Sequence, residues 1–302
     1  MMKKRIISYL LILLSFVTLF SGCKKTENKT VINTSEYIAS VNDVPEFDNE
    51  PYVIIKDNQP DFKETQLVTY SYEMYSELDY LGRCGYAMAC IGKEIMPTEE
   101  RGSIGQVKPT GWHTIKYDSV DGKYLYNRCH LIGYQLTGEN ANERNLITGT
   151  RYLNMEAMLP FENMIADYVK ETGNHVLYRV TPIFDSNNLL ARGVQMEAKS
   201  VEDDGEGVCF NIYAYNNQPG ILINYVNGDS KIDDGNGFTN QEKAENHSQN
   251  IKTYVLNTSS KKFHLPECSS VSKMNEQNKE TVNRSREDIT EDGYTPCQQC
   301  KP

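Results

Sequence analysis

The sequence predicts an α+β fold dominated by an antiparallel sheet, and three observations carry the prediction. Late in the chain, four runs alternate polar and apolar residues as strands do: His175 to Phe184, Leu189 to Val201, Val208 to Asn216 and Ile221 to Val226. The first two are joined by the hairpin-forming Asp185-Ser186-Asn187-Asn188. Just before them, Pro160 to Thr172 has helical period, with Ile165, Tyr168 and Val169 on one face and Gly173 as the stop. Earlier still, the segment leading to His130 and the segment Asn145 to Thr148 look extended, as does Trp112 to Tyr117. The middle of the chain therefore reads strand, strand, helix. A helix that begins near Tyr152 should break or kink at Pro160, whose ring crowds the preceding turn.

Composition divides the chain. Lys3, Lys4 and Arg5 precede an apolar run from Ile6 to Phe20, too short for a comfortable membrane span, and then Ser21-Gly22-Cys23. Residues 1–22 read as an export signal. They resemble a lipoprotein signal, with Phe20 where leucine is usual, which implies a lipid on Cys23 and a place on the outer face of the bacterial cell membrane. The other reading is a cleaved secretory signal, and either takes the protein out of the cytoplasm. Residues 23–61 are polar and read as a tether, 62–228 as the globular domain, 229–251 as a second polar linker and 252–302 as a small terminal module.

The chain carries a formal net charge of −10, and the globular part holds 14 Lys+Arg against 21 Asp+Glu. That excludes a nucleic-acid binder relying on a broadly basic face. Attraction to phosphate would have to be local, from Arg101, Lys108, Lys116, Arg128, Arg144 and Arg151, with a metal ion contributing. The many tyrosines suit strand surfaces and are not by themselves base-stacking platforms.

Tyr126-Asn127-Arg128-Cys129-His130, followed by Asn145, Asn154 and Glu162, puts an imidazole, two carboxamides and a carboxylate on the strand–strand–helix segment. Imidazole takes a proton from water near neutral pH, and amide and carboxylate oxygens suit a hard, well-hydrated divalent ion. The set resembles the DNA/RNA non-specific endonucleases, whose catalytic core is a ββα-metal fold. Arg101-Gly102-Ser103-Ile104-Gly105 and Lys108-Pro109-Thr110-Gly111-Trp112-His113 are similar to the streptococcal branch.

That resemblance implies cleavage of DNA, and of RNA as a second substrate, with little sequence preference. It implies His130 as general base and Asn154 as ligand of one Mg2+, for which Mn2+ can substitute. Asn145 and Glu162 would fix the metal's water shell. Arg101 would stabilise charge on the pentavalent phosphate, with Arg128 as its competitor. Asn127 and Cys129 stand where the family motif has aspartate and glycine, which makes the site less negative.

Near the C-terminus, His264-x3-Cys268 and Cys297-x2-Cys300 have the spacing of a closed structural Zn2+ site. The segment resembles the Ada-type zinc-binding module, and a unit this small would draw much of its folding free energy from the metal. One disulfide among the three cysteines, with His264 exposed, is the competing arrangement. Cys84, Cys90, Cys129 and Cys209 allow two disulfides in three connectivities, Cys84–Cys129 among the pairings. Cys129 beside His130 also has the look of a thiol nucleophile with its base, although that chemistry gives no reason for the asparagine and glutamate spacings. A different class of function is a catalytically silent surface lipoprotein that binds DNA or cell wall through the zinc module. No protein partner is indicated.

Overall fold

The structure is a computed structural model that describes residues 31–32, 41, 44–238 and 252–302. Cys23, residues 24–30, 33–40 and 42–43 of the tether and residues 239–251 of the second linker lie outside the described residues.

The first strands are Val31–Ile32 (β1), Tyr52–Ile55 (β2), Tyr72–Tyr75 (β3) and Ala87–Ile91 (β4). A separate two-stranded antiparallel ribbon follows, Tyr126–His130 (β5) against Leu146–Thr150 (β6), with the single turn Tyr134–Thr137 (α1) between them. Next come the helix Leu159–Thr172 (α2) and the strands Val176–Ile183 (β7), Gly193–Ser200 (β8) and Cys209–Tyr215 (β9). The main sheet has the order β1-β2-β9-β8-β7-β4-β3 and is antiparallel except at the β1–β2 pair.

Three of the four alternating runs become β7, β8 and β9. The fourth contracts to Ile221–Ile223 (β10), paired with Ser230–Ile232 (β11), which lies at the start of the stretch read as linker. The sequence does not announce β2, β3 or β4. All five residues of Ala87–Ile91 are buried, so β4 has no polar face and no alternation to detect. Strand β2 sits in the stretch read as tether, yet Val53 and Ile55 are buried, with Val41, Val44 and Phe47 packed against their cluster. The chain just after it is also held: buried Glu197 accepts from the Asp61 N–H at 2.9 Å and pairs with Arg179 at 2.7 Å. Trp112 to Tyr117 is not a strand; only Lys116 bridges to Tyr124.

The principal core lies between the sheet and the ribbon-plus-helix layer, where Leu131, Ile132, Leu153, Ile165 and Val169 meet Tyr178, Met196 and Phe210. Pro160 does not break the helix. Leu153–Met158 forms a π-helical turn in which the Leu159 N–H reaches back to the Asn154 carbonyl, and α2 continues from it. The wider turn makes room for the proline ring, and such turns recur at functional sites.

The C-terminal module has four strands, Lys252–Asn257 (β12), Lys262–His264 (β13), Lys279–Arg284 (β14) and Thr295–Pro296 (β15), in the order β14-β12-β13-β15. Arg286–Glu291 (α3) starts from Ser285, whose hydroxyl caps the Asp288 N–H at 3.0 Å. Tyr254, Leu256, Phe263, Ile289 and Tyr294 give it a small core. Among the described residues no helix is long and apolar enough to cross a membrane.

The disulfide expectation fails. All seven described cysteines are free. Cys84 sits 3.2 Å from the Glu143 carbonyl and Cys90 3.1 Å from that of Val68, each thiol donating to backbone instead of meeting another sulfur.

Just before β7, His175 joins two loops, with Nδ1 2.7 Å from Glu202 and Nε2 3.2 Å from Glu94. Burial pulls the imidazole down, but the two carboxylate hydrogen bonds outweigh it and the net shift is upward. Glu94, hydrogen-bonded first by Ser71, is lowered to about 2. The imidazole stabilises the fold below its ordinary 6.5 and loses that contribution as pH rises through its higher folded value. The carboxylate contributes above 4.5 and loses its share as pH falls toward its folded value. The destabilisation caused by His175→Ala, read as a change in urea midpoint, is therefore expected to be largest between pH 4.5 and 6.5 and to shrink in alkaline buffer.

Candidate active site

Strand β5 ends at His130, opposite Leu146 of β6, so the ring emerges where the ribbon opens beside α2. Its Nε2 is 2.8 Å from the Asn140 carbonyl and its Nδ1 3.3 Å from Arg101 Nη2. A carbonyl only accepts and a guanidinium only donates, so the neutral ring carries its proton on Nε2 and keeps a lone pair on Nδ1. Burial first, with the Arg101 charge assisting, lowers His130 to about 4, so it is unprotonated at neutral pH.

The residues after His130 are set by Asn145. Its carboxamide is fully buried; Oδ1 accepts from the Ile132 N–H at 2.9 Å and Nδ2 donates to the Ile132 carbonyl at 3.0 Å. Both ends of the amide are used on backbone, so Asn145 is a clamp behind the site and is not placed to hold a metal's waters. One residue further, the Gly133 N–H donates to Glu162 Oε1 at 2.8 Å. A Cβ on Gly133 would lie 2.4 Å from Glu162 Oε2, so only glycine lets the loop approach the carboxylate. Glu162 comes from the first turn of α2 and is nearly buried. Burial raises it to about 7 against the opposing Gly133 hydrogen bond and the Arg101 charge.

A cavity of about 680 Å3 brings Arg101, His130, Asn154 and Glu162 together. Asn145 lies behind it. The expected metal ligand, Asn154, stands on the π-helical turn. Its oxygen and the Glu162 carboxylate are hard donors, and the buried anion lacks a full counter-charge; both fit a divalent ion such as magnesium.

Residues 63–202 match the family model described as DNA/RNA non-specific endonuclease. This stretch of the chain is similar to that family. Among solved structures, the fold is similar to NucA from Streptococcus agalactiae with magnesium bound. The two are 23% identical, the match covers 61% of this chain and 87% of that one, and the TM-score is 0.54. The same protein without metal matches at 22% identity over 64% of this chain and 92% of its own, with a TM-score of 0.55.

Within this stretch, the two departures from the family motif have structural consequences. The Cys129 side chain occupies space that a side chain at position 149 would need: a Cβ on Gly149 would fall 2.6 Å from Cys129 Cβ. The Cys129 thiol is fully buried and donates to Asn154 Oδ1 at 3.2 Å, and burial, with the Glu162 charge, pushes it upward. It is a neutral donor that orients the asparagine, not a nucleophile. Asn127 lines the cavity, and its buried Nδ2 has no partner among the described residues.

Arg128 is committed elsewhere. It donates to the Val107 and Gly105 carbonyls and stacks 4.0 Å over Trp112, holding the loop that follows Arg101. Asn140 escaped notice because its working atom is a backbone carbonyl, which no residue type signals. Gly133 likewise sits in an apolar run without mark.

In the terminal module, the ligand atoms of His264, Cys268, Cys297 and Cys300 all lie within 4.8 Å of one another. Ligands of a tetrahedral zinc ion are separated by roughly 3.8 Å for Zn–S bonds of about 2.3 Å, so the cluster has the compactness a zinc ion needs. His264 is buried, not exposed, and its Nδ1 has no hydrogen-bond partner among the described residues.

Replacing the clamp separates structure from chemistry. Asn145→Ala leaves the buried Ile132 N–H and carbonyl unpaired and is expected to lower stability by about 2–4 kcal/mol, read as the free energy of unfolding in urea. A loss confined to activity would place the side chain in the reaction instead.

Proposed function

We propose that the domain hydrolyses phosphodiester bonds of DNA, and of RNA as a second substrate, as a Mg2+-dependent non-specific endonuclease with His130 as general base. The single observation behind this reading is the geometry at His130: a buried neutral imidazole, its tautomer set by the Asn140 carbonyl, keeps a lone pair on Nδ1, contacted by Arg101, at a cavity that also holds Asn154 and Glu162.

In the proposed mechanism His130 Nδ1 takes a proton from water as the oxygen attacks phosphorus in line and the opposite ester oxygen leaves as an alkoxide that takes a proton from solvent. The Nε2–H bond to Asn140 persists throughout and supports the charge gained by the ring. Burial depresses His130, which keeps it unprotonated but makes it a weaker base. A Mg2+ ion, or Mn2+ in its place, would be held by Asn154 with Glu162 beside it; it would neutralise phosphoryl charge and make water easier to deprotonate. Arg101 rests on the base before substrate arrives. An entering phosphate offers it an anionic oxygen in place of a neutral nitrogen, a stronger partner, so it moves to the phosphate and frees Nδ1.

The terminal module would hold a structural Zn2+ through His264, Cys268, Cys297 and Cys300. Export and a lipid anchor at Cys23 complete the proposal, on the basis of residues 1–23 alone.

A plasmid-nicking assay with magnesium or EDTA tests the activity. His130→Ala is expected to abolish nicking while the circular dichroism spectrum stays unchanged; activity within a few-fold of wild type would remove His130 from the mechanism. Above its lowered value His130 is free to accept a proton, so the acid limb of kcat/KM should lie near 4, not 6.5. Arg101→Ala removes one cause of that lowering. It should move the limb upward and reduce kcat by about 100-fold or more.

Metal analysis separates the two sites. Asn154→Ala should lose nicking and keep about one zinc per chain, as the single four-ligand cluster requires. Cys297→Ser should lose the zinc and leave cleavage of short DNA. Zinc retained after truncation at residue 250 would overturn this division.

A further inference from the structure

The cavity that holds His130 extends to a wall formed by Trp112, Thr114 and Tyr124. Tyr124 is 47% exposed. Its backbone is firmly held. Lys116 and Tyr124 form a bridge, the Tyr117 N–H bonds to the Lys123 carbonyl at 2.9 Å and the Leu125 N–H to that of Ile115 at 3.1 Å, so residues 115–125 make a short hairpin arm. Arg151, at the foot of the helical segment, ties the arm down. Its side chain donates twice to Asp121, at 3.0 and 2.8 Å, and its backbone N–H bonds to the Leu125 carbonyl at 2.7 Å. Lys116 Nζ lies over one face of the Tyr124 ring, 4.4 Å from its centroid.

In a domain with 14 Lys+Arg against 21 Asp+Glu, phosphate attraction alone is weak. Three of the local cations are also occupied: Arg128 with backbone carbonyls, Arg144 with Glu77 and Arg151 with Asp121. Aromatic stacking on a base compensates without basic charge and tolerates any sequence. A ring fixed on a rigid arm loses little freedom on binding, and the adjacent Lys116 ammonium is positioned for the phosphate of the same nucleotide.

We propose that Tyr124 and Lys116 form a nucleotide subsite beside the catalytic residues, in which an unpaired base flanking the cut stacks on Tyr124 and its phosphate meets Lys116. The site favours single-stranded nucleic acid, whose bases are free to stack. It rests on the nuclease reading above.

The test compares the wild-type enzyme with Tyr124→Ala and Tyr124→Phe on a single-stranded oligonucleotide, on the same strand carrying abasic positions beside the cut, and on plasmid duplex. Tyr124→Ala is expected to raise KM on the intact single strand by about 5- to 150-fold, the range for one stacked base, with kcat little changed. Tyr124→Phe should behave as wild type. On the abasic strand, wild type and Tyr124→Ala should coincide, and duplex nicking should change far less. An unchanged KM on the single strand overturns the subsite and leaves the nuclease reading standing, as does an equal loss on intact, abasic and duplex substrates. Wild-type enzyme that cuts none of the three overturns both.

Discussion

The site depends on one buried amide. Asn145 closes a pair of hydrogen bonds with the N–H and carbonyl of Ile132, and that fixes the chain immediately beyond β5. A two-stranded ribbon is marginal in water and does not hold its own ends in place. Here the clamp joins the two strands at one end of the ribbon, since Asn145 leads into β6 and Ile132 follows β5. With Ile132 held, Gly133 points its N–H at Glu162, and His130 stands at the ribbon's mouth. A carboxamide is suited to this because it donates and accepts from one planar group, as a backbone pair requires.

Around that clamp, burial sets the chemistry. Desolvation acts in opposite senses on the two titratable groups of the cavity: it lowers His130 and raises Glu162, so each favours its neutral form. The Arg101 charge reinforces the first shift and opposes the second. Such a cavity does not hold a proton on its base. The buried Cys129 thiol fits the same pattern, a neutral group that donates to Asn154 without adding charge. In the C-terminal module the principle changes, and a small core around Phe263 stands beside four soft ligands whose charge a metal would balance.

Several features were legible in the residues. The strand–strand–helix order around His130, three of the four alternating runs, the glycine stop of α2 and the four terminal ligands all appear close to where their patterns put them. Each rests on a local rule: side-chain period, the left-handed conformation that Gly173 adopts at φ 77°, or short ligand spacing. The shortlist of cavity residues came from the family motif, and Arg101, His130, Asn154 and Glu162 do converge on one cavity.

What the sequence by itself determined is thus the class of fold and the chemistry on offer, because both follow from near neighbours along the chain. Tertiary structure decided how each group is used. Asn145 and Asn154 are the same residue type nine positions apart, yet one is consumed by backbone and the other faces the cavity. Nothing local separates them, since their partners come from distant elements. The tautomer of His130 hangs on a carbonyl, the strand in the tether on a sheet edge, and the unpaired cysteines on distances between strands. Long-range packing sets all of these, and they entered the sequence only as residues compatible with it.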